Sequence, residues 1–580
     1  MFALFTTLVF SSAASGQQAN PDTSGGGASA NARVTVHGVV LNTASGDPLP
    51  RALVRLTGDS GAGALTDGEG RYELADIPTG PQQIEIIKPG FLDAIAEGTA
   101  AAGGDAREFA HTVLVAAGMP GVTFRMEPAN AIHGQVQLST GDMAEGIEIT
   151  LLRQTVQSGR FVWQVTATTK TTAEGVFRFG ALADGTYVVY SAPAMDNEAL
   201  SLFAHPKRDN VERAGYASQF YPEARDLAGA AKIQLREGQQ AEANLSLALE
   251  TFHDVAATVS VASDGPAQDF SPDRAGTTLS AVVVDSQGHQ LPYQAQYDPI
   301  THAVQALLPD GNYALVATAG RPTPVARRLG LNSSPRDGGP FTGAVEFAVS
   351  GHPVTNLRIA LANTARSALQ VSIERSGATA DVTAANSEGH AIVLTISQTG
   401  GWVTDGMIST FALGSLTGPI NTMFAAPGNY WVHTNLADRR YCEGSLMAGG
   451  SNLAREPLTL SVSGSPAPLT LAVRDDCASL TLSLPPAADG SGVGEEPFYT
   501  IYVVPDFDST ADVIPQTLRP SDGGKVTLQG LTPGNYHVYA FDQPVALPYH
   551  EKAPMDALPN HGQTIELSPG QAASLVLEVP

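Results

Sequence analysis

The chain has 580 residues, including 59 Gly and 39 Pro, and carries a formal net charge of −25 with a charged fraction of 15%. So acidic a chain repels the phosphate backbone of nucleic acids and the headgroups of anionic lipids, which excludes both as favoured partners. The length allows several separate hydrophobic cores, and the abundance of turn-forming residues favours many short strands over long helices.

The N-terminal segment has the outline of a signal peptide. An apolar run from Phe2 to Phe10 is followed by small residues up to Gly16, although no Lys or Arg precedes the run. We expect residues 1–16 to be a signal peptide, with a short hydrophobic tail as the alternative, and residues 17–32 to be a disordered linker. The protein is then secreted, periplasmic or at the cell surface. No other window is apolar enough to span a membrane.

One short phrase recurs about every hundred residues, as "LADGTYVVYSA", "LLPDGNYALVA", "AAPGNYWVHTN" and "LTPGNYHVYAFD", with a fainter first copy, "DIPTGPQQIEI". In four of the five copies another Gly lies ten residues before the Gly of the phrase, and the apolar residues between the two tend to alternate with polar ones. Alternation bounded by turn residues predicts a strand, a turn and a second strand. We therefore interpret the phrase as architecture and not as a ligand site.

The second strand of the phrase opens on Tyr187, Tyr313, Tyr430 or Tyr536, and Gln82 stands at this place in the first copy. A Tyr just past a corner can bury its ring while its hydroxyl reaches a backbone partner, as the tyrosine corner does in sandwich domains. We predict that the four Tyr side chains lie in four separate interiors.

A Gly-centred turn and a final strand close each copy, so that the chain divides into five units of about the size of one β-sandwich. We predict an all-β fold of tandem antiparallel β-sandwich domains, Ig-like or transthyretin-like, with few short helices, arranged as a rod or arc. The predicted units are residues 33–128, 129–250 with a long loop, 251–363, 364–475 and 476–580.

The first unit carries a dense set of motifs in "VTVHGVVLNTASGDPLPRALVRLTGDSGAGALTDGEGRYELADIPTG", Val34 to Gly80. Its G-x-V strand, its T-D-x-x-G-x-Y hairpin from Thr66 to Tyr72 and its following turn resemble the carboxypeptidase regulatory-like domain. The resemblance implies a seven-stranded sandwich with a transthyretin-like or carbohydrate-binding-like fold. It also implies a module that accompanies zinc carboxypeptidases without supplying their chemistry. The later units look like those of multi-domain exported bacterial proteins.

The polar residues of the sequence form no complete catalytic pattern. A zinc carboxypeptidase needs an H-x-x-E pair, and the nearest candidate, His205, has Arg208 where the Glu ligand belongs. The sequence also has no nucleophile elbow, C-x-x-C pair or phosphate-binding loop. We therefore expect no catalytic residues, no metal site and no cofactor. Asp67 and Glu69 could contribute to a calcium site, but solvated turn carboxylates are the favoured interpretation.

The two cysteines, Cys442 and Cys477, are expected to form a disulfide, because a lone pair in an exported protein is more often structural than reactive.

Several aromatic residues outside the buried strand positions are candidates for a ligand site or an interface. Trp431 follows Tyr430 on a strand and should therefore point away from the core, toward a sugar or a neighbouring domain. Trp163 lies in an alternating strand and should be half-buried. The candidates are Trp402 and Trp431, together with Phe203, Tyr216, Phe220 and Tyr221 on the loop from Pro193 to about Ala230. The alternative for the loop residues is that they cap the sandwich or pack against the third unit.

These observations favour a non-catalytic scaffold or protein-interaction module at the cell envelope. The alternative is a carbohydrate-binding protein, which rests on the fold that the resemblance implies. A third hypothesis is an accessory part of a carboxypeptidase system. The partner is expected to be a protein or a glycan at the envelope.

Overall fold

The structure is a computed structural model. It describes residues 32–57, 62–93, 111–195, 213–261, 268–269, 278–285, 288–320, 341–363, 367–374, 392–399, 402–403, 409–413, 420–423, 428–460, 467–485, 494–559 and 561–580. The predicted signal peptide, nearly all of the predicted linker and Phe203 lie outside the described residues.

The described residues are almost entirely β, which confirms the predicted fold class. The strands of the first unit are β1 (Arg33–Asn42), β2 (Leu53–Leu56), β3 (Gly63–Leu65), β4 (Arg71–Pro78), β5 (Gly80–Ile87), β6 (Phe91–Asp93), β7 (His111–Val115) and β8 (Val122–Pro128). Those of the second are β9 (Asn130–Leu138), β10 (Glu148–Gln157), β11 (Arg160–Lys170), β12 (Val176–Leu182), β13 (Gly185–Ser191), β14 (Ala194–Met195), β15 (Arg213–Tyr216), β16 (Gln219–Phe220), β17 (Ile233–Leu235), β18 (Gln240–Glu242) and β19 (Leu245–Leu247). Those of the third are β20 (Leu249–Val261), β21 (Gln268–Asp269), β22 (Thr278–Val284), β23 (Gln290–Asp298), β24 (Ala303–Leu308), β25 (Gly311–Gly320), β26 (Phe341–Val349) and β27 (Val354–Asn363).

The last two units continue this pattern, with one short helix in the fifth. The fourth unit contains β28 (Ser367–Glu374), β29 (Ile392–Gln398), β30 (Trp402–Val403), β31 (Ser409–Leu413), β32 (Ile420–Met423), β33 (Gly428–Leu436), β34 (Cys442–Ala448), β35 (Ser451–Asn452), β36 (Leu458–Leu460) and β37 (Leu469–Arg474). The fifth contains β38 (Ala478–Ser483), β39 (Gly494–Glu495), β40 (Tyr499–Pro505), β41 (Gln516–Leu518), β42 (Lys525–Leu531), β43 (Gly534–Phe541), α1 (Lys552–Asp556), β44 (Gln563–Leu567) and β45 (Ala572–Val576).

Four of the units have two sheets facing one core. In the first, the sheet β4-β1-β8-β6 faces β3-β2-β5-β7, and in the fifth, β42-β38-β45 faces β41-β40-β43-β44. Some strands that enclose a core show the expected alternation, as in β4, where Tyr72, Leu74 and Ile77 are buried and the intervening residues are exposed. Alternation of this kind places apolar side chains on the inner face of a half-solvated sheet. Others, such as β13 and β40, are buried at consecutive positions and therefore on both faces.

The first strand of every unit pairs in parallel with the last, which the prediction of antiparallel sheets did not include. The parallel pairs are β1 with β8, β9 with β19, β20 with β27, β28 with β37, and β38 with β45. The alternation pattern is the same for both directions, so it does not reveal which strands pair. Since both strands of such a pair run the same way, the chain enters a unit at one end and leaves at the other.

The third unit differs from the others because its strand pairings close on themselves. Strand β20 pairs with β24 on one side and with β27 on the other, and the path β24-β23-β22-β25-β26-β27 joins the two. The second unit's loop also joins this sheet, since β15 pairs with β20. β20 runs across the boundary predicted at residue 250, because its antiparallel pairing with β15 extends it into the second unit.

The described residues form five large hydrophobic clusters, each composed of residues from one of the five predicted units. The unit boundaries themselves remain a prediction. Tyr187, Tyr313, Tyr430 and Tyr536 belong to four different clusters, which confirms that the repeated phrase is part of the architecture.

Among the described residues, Tyr187, Tyr313 and Tyr536 form the tyrosine corner in the same way. The hydroxyl donates a hydrogen bond to the carbonyl oxygen four residues earlier, over 2.7 Å in Tyr187, 3.1 Å in Tyr313 and 2.6 Å in Tyr536. Burial raises the pKa of Tyr313 and of Tyr536, because the charged form is costly to desolvate. In the first unit, where the phrase has Gln82, the buried ring belongs to Tyr72, and its hydroxyl donates to the carbonyl of Val122 at 3.2 Å.

The earlier Gly of the phrase is held against the first strand of its unit. Gly70 has a φ of +71°, and a Cβ there would lie 2.7 Å from the carbonyl oxygen of Val40. Gly175 has a φ of +69°, and a Cβ there would lie 2.5 Å from the carbonyl oxygen of Val136. Both positions therefore combine a left-handed conformation with a close backbone approach, a combination that Gly alone accommodates without strain.

The predicted rod or arc is wrong, because the fifth unit folds back onto the first. Strand β39 pairs antiparallel with β7 through Glu495 and Val113, and the amide of Glu496 donates to the carbonyl of Thr112 at 3.0 Å. The Arg519 guanidinium also donates to the Thr112 hydroxyl. The edge of the first unit's sheet thereby gains a strand from the end of the chain, a contact between distant segments that no local pattern specifies.

Candidate functional site

The aromatic residues of the long loop lie in the interior of the protein. Tyr216 is 4% exposed and Phe220 3% exposed, and Phe220 packs 5.2 Å from the ring of Tyr190. Tyr221 is partly buried against the core of the second unit. The loop also contacts the third unit, where Ser218 donates to the hydroxyl of Tyr293 over 3.4 Å. These positions correspond to the packing alternative, and they leave Tyr216 and Phe220 without an exposed face for a ligand.

The predicted disulfide between Cys442 and Cys477 is present, with 5.8 Å between the two Cα atoms. Cys442 opens strand β34 of the fourth unit, and Cys477 lies in the connection to β38 of the fifth. The bond therefore fixes the start of the fifth unit against the fourth.

Asp67 and Glu69, for which turn carboxylates were favoured over a calcium site, are engaged in the turn. Asp67 Oδ1 accepts the backbone amides of Glu69 and Arg71, each over 2.8 Å, and these bonds hold the pKa of Asp67 below its usual range. The Glu69 carboxylate pairs with the Arg71 guanidinium. The arrangement is that of a turn stabilised by its own side chains.

The remaining candidates meet at a joint of three units, which we call the triple joint. It consists of the β10–β11 hairpin tip of the second unit, the outer face of β33 in the fourth, and residues 512 and 547–551 of the fifth. The side chains that meet there are those of Ser158, Arg160, Trp431, His433, Asp512, Tyr549 and His550. Trp402 contributes through its backbone, which pairs in parallel with Trp163 of β11, whose ring is half-buried as predicted.

Trp431 lies beneath a charged group of another unit. The guanidinium carbon of Arg160 is 3.5 Å from the centre of the Trp431 ring, the geometry of a cation–π contact. Burial lowers the pKa of Arg160, which nevertheless stays charged. The ring faces away from the core that holds Tyr430, as the strand alternation predicts, and it meets a neighbouring unit.

The hairpin tip fits closely against the fifth unit. The amide of His550 donates to the carbonyl of Gly159 at 2.9 Å, and the Ser158 hydroxyl donates to Asp512 Oδ1 at 3.3 Å. Gly159 has a φ of +74°, and a Cβ there would lie 2.5 Å from the ring of Tyr549. The contact thus requires Gly at the tip.

Two histidines, the buried His433 and the partly buried His550, flank this contact. His433 is 4% exposed, with its Nδ1 3.6 Å from Asp512 Oδ1, and its Nε2 has no hydrogen-bond partner among the described residues. Burial, reinforced by the charge of Arg160, lowers the pKa of His433 to about 4. The same two causes, with His433 itself, lower the pKa of His550 to about 3. At this depth the cost of desolvation outweighs the attraction of Asp512 at 3.6 Å, so the imidazoles are neutral.

Beside the triple joint, a buried carboxylate joins the fourth and fifth units. Glu443 is 4% exposed, and its Oε1 accepts the amide of Thr510 at 2.9 Å and the Thr510 hydroxyl at 2.6 Å. Its Oε2 accepts the hydroxyls of Thr434 and Ser509, each at 3.0 Å. Four donors satisfy the charge, as a buried carboxylate requires.

Of the side chains that meet in the triple joint, only Trp431 was identified from the sequence. One signal was present, because the outer face of β33 carries Trp431, a side chain too large and apolar for a fully solvated sheet face, and His433 lies two residues further on the same face. The residues that cover this face, Arg160 and His550, carry no local signature.

Within the described residues, no group of three or more His, Cys, Asp and Glu side chains is placed to hold a metal ion. The described part of the chain also contains no helix that is both long and apolar enough to cross a membrane.

Residues 35–114 match the family model of the carboxypeptidase regulatory-like domain, as the resemblance of the first unit implied. Comparison with curated proteins finds no match. Among solved structures, the chain is similar to a streptococcal ancillary pilin, with 10% identity, 57% of this chain and 98% of that chain covered, and a TM-score of 0.19. It is also similar to the shaft pilin SpaA from Lactobacillus rhamnosus GG, with 8% identity and a TM-score of 0.18. This match covers 37% of this chain and 98% of the pilin. A third similar structure contains two B repeat units of the collagen binding protein of Staphylococcus aureus, with 10% identity and a TM-score of 0.13. This match covers 72% of this chain and 93% of that chain. Likeness at these TM-scores carries no inference about function.

Proposed function

We propose that this protein is a non-catalytic, exported scaffold whose five β units are docked on one another and present their outer loops to a protein partner at the cell envelope. The observation that carries the proposal is the use of surface groups for docking within the chain. Arg160 covers Trp431, Thr510 and Ser509 saturate Glu443, and β39 completes the sheet edge of the first unit. Such contacts fix the relative positions of units, which is what a scaffold must do.

The proposed location outside the cytoplasm rests on two features. The disulfide between Cys442 and Cys477 is of a kind that persists in oxidising compartments. The apolar run from Phe2 to Phe10 followed by small residues has the outline of an export signal. Cell fractionation of the native host, with mass spectrometry of the N-terminus and of the cysteines, tests this part. A chain found in the cytoplasm with both thiols free would exclude export.

The scaffold proposal is tested against the glycan and peptidase alternatives with the purified full chain. We expect no binding on a broad glycan array, no stoichiometric zinc by metal analysis, and cross-linking to a defined protein in isolated envelopes. Glycan binding that the Trp431→Ala substitution abolishes would replace the scaffold by a carbohydrate-binding protein. Stoichiometric zinc would instead revive the peptidase hypothesis.

A further inference from the structure

The triple joint brings together basic side chains from three units, of which His433 is buried and the other two are partly buried. His433 comes from the fourth unit, His550 from the fifth and Arg160 from the second, and the two imidazole rings are 6.5 Å apart. Contacts between the units help to cover them, since Arg160 lies over Trp431 and the His550 amide bonds the carbonyl of Gly159. Separation of the units removes these contacts and gives water more access to both rings. The docking of the units is therefore coupled to the protonation of the two rings.

The closed joint holds both imidazoles neutral. Their pKa values are lowered to about 4 and about 3, chiefly by burial and then by the positive charge of Arg160. The unpartnered Nε2 of His433 fits this state, because a protonated ring would place a second N–H donor in a site with no acceptor for it among the described residues. In the separated state the same rings would titrate near the ordinary value of about 6.5.

Other groups face the site from every element packed against it. Asp512 is the nearest carboxylate, and burial raises its pKa to about 6, with the charge of Glu443 adding to the effect. Ser158 donates to Asp512, Tyr549 contacts the hairpin tip, and Glu551 lies within electrostatic range of Arg160. These groups change the size of the pH response that the histidines produce, but none of them accepts a hydrogen bond from His433 Nε2.

We propose that the triple joint is an acid-sensitive latch, closed near neutral pH and opening on acidification while the individual units stay folded. The inference concerns the docking of the units and does not depend on the proposed function. A protein exported from the cell meets varying pH, and such a latch would change how its units are presented.

The sign and size follow from proton counting. A base whose pKa is lowered in the closed state favours closure above about pH 6.5, and this contribution is lost as pH falls through the window between about 6.5 and 4. Asp512 acts in the opposite direction, because its pKa is raised in the closed state. The closed state binds a proton at Asp512 below about pH 6, whereas the open state binds it only below about pH 4. On opening, the two imidazoles gain two protons and Asp512 loses one, which is a net uptake of about one proton. The equilibrium constant for opening therefore rises about tenfold for each pH unit of acidification.

The joint between the third and fourth units responds with the opposite sign and serves as an internal control. His289 lies 3.0 Å from Asp285 and 2.5 Å from the carbonyl of Thr399, and its pKa is raised, chiefly by the hydrogen bond to Asp285. The Asp285 contribution lies within the third unit and persists when the units separate, so only the hydrogen bond to Thr399, which also raises the pKa, links protonation to this joint. That contribution is fully present below about pH 6.5 and is lost as pH rises. Acid should therefore hold this joint closed while the triple joint opens.

Hydrogen–deuterium exchange of the full chain reports on the latch directly. The amides of Thr434, Asp512 and His550 form hydrogen bonds across the joint. Their protection factors, already corrected for intrinsic exchange, should fall about tenfold per pH unit below about pH 6. Peptides from β9 and from the Thr399 contact should keep their protection. Constant protection at the joint down to pH 4.5, or simultaneous loss in β9, would overturn the proposal.

Substitution of both histidines gives the sharper test. In H433Q/H550Q only Asp512 still titrates at the joint, so protection should rise on acidification instead of falling. The matched control is His37→Gln, which replaces an exposed histidine of the first unit and should leave the wild-type response. Should the double variant fail to fold, His550→Gln alone should show an intermediate slope. A wild-type slope in either variant would contradict the latch.

Discussion

The tyrosine corners and the triple joint both bury polar side chains among aromatic rings, but they are built from opposite kinds of contact. Tyr187 is 1% exposed and bonds a carbonyl four residues away, so one short stretch of chain specifies the whole arrangement. His433 is 4% exposed and is covered by segments that lie hundreds of residues apart, such as the hairpin at Ser158 and the segment at Asp512. The corners hold each unit together, whereas the triple joint holds units to one another. Damage to a corner should therefore stay within one unit, and damage to the joint should spare the unit interiors.

The largest effect is expected from Tyr187→Ala. Truncating a fully buried aromatic side chain leaves a cavity and destabilises the second unit by about 3–5 kcal/mol. Exchange protection should fall throughout β9, β12 and β13 and remain in the fifth unit. Tyr187→Phe is the control, and it should lose about 1 kcal/mol because only the hydroxyl bond is removed. Equal loss of protection in every unit would break the distinction between corner and joint.

The next effect is expected from Glu443→Ala. The substitution leaves buried donors of Thr434, Ser509 and Thr510 without their acceptor, which costs about 1–3 kcal/mol. Because the carboxylate links two units, the amide of Thr510 should exchange faster while the cores of both units stay protected. Glu443→Gln keeps one acceptor oxygen and should fall between the wild type and Ala. Unfolding of the fourth unit as a whole would show that Glu443 stabilises that unit more than the joint.

A smaller effect is expected from Gly159→Ala, with Gly141→Ala as its matched control. Both glycines lie in the second unit with positive φ, +74° and +92°, so either substitution strains the backbone by about 1–2 kcal/mol. Only at position 159 does the new Cβ meet the ring of Tyr549, because a Cβ at 141 would have nothing within 4 Å. Faster exchange of the His550 amide in the first variant alone is the expected result. Identical behaviour of the two variants would mean that the hairpin tip does not hold the joint.

The smallest effect is expected from Trp431→Ala. Loss of the cation–π contact with Arg160 should weaken docking by about 1 kcal/mol, seen as faster exchange in β11 next to the contact. Trp431→Phe keeps a π face and should have about half of this effect. An unchanged β11 in both variants would show that the hairpin is held by its backbone contacts alone.

The sequence was sufficient to predict the parts of the fold that depend on neighbouring residues. The alternation in β4, the turns at Gly70 and Gly175, and the Tyr that opens β13, β25, β33 or β43 are each readable within about ten residues. The parallel pairing of β1 with β8 could not be predicted, because alternation indicates which face of a strand is buried but does not identify the strand that pairs with it. The predicted rod failed for the same reason. The contact between Glu495 and Val113 depends on how five units pack, and neither segment has a distinctive composition.

The candidate site was predictable only at residues whose chemistry is unusual for their position. Trp431 was identified because strand alternation placed a large apolar ring on an outer face. The Cys442–Cys477 bond was identified because a lone pair of cysteines, in a chain expected to be exported, is more often structural than reactive. Tyr216 and Phe220 were candidate ligand contacts because they lie on a long loop. In the structure both side chains pack in the interior of the second unit, and strand β15 of the loop pairs with β20 of the third unit. Arg160 and His550 are ordinary surface residue types, and contacts between three units bring them together in a partly buried cluster.

The parallel pairing of the first and last strand has a mechanical consequence. When a unit is stretched through the chain on either side, the pulling directions lie along both strands of the pair, so the tension acts as shear. In β28 and β37, which are aligned from Leu369 and Leu469 to Glu374 and Arg474, the hydrogen bonds share that load and must break together, whereas a hairpin opens from one end like a zip. Each unit is therefore oriented to resist extension along the direction in which the chain traverses it.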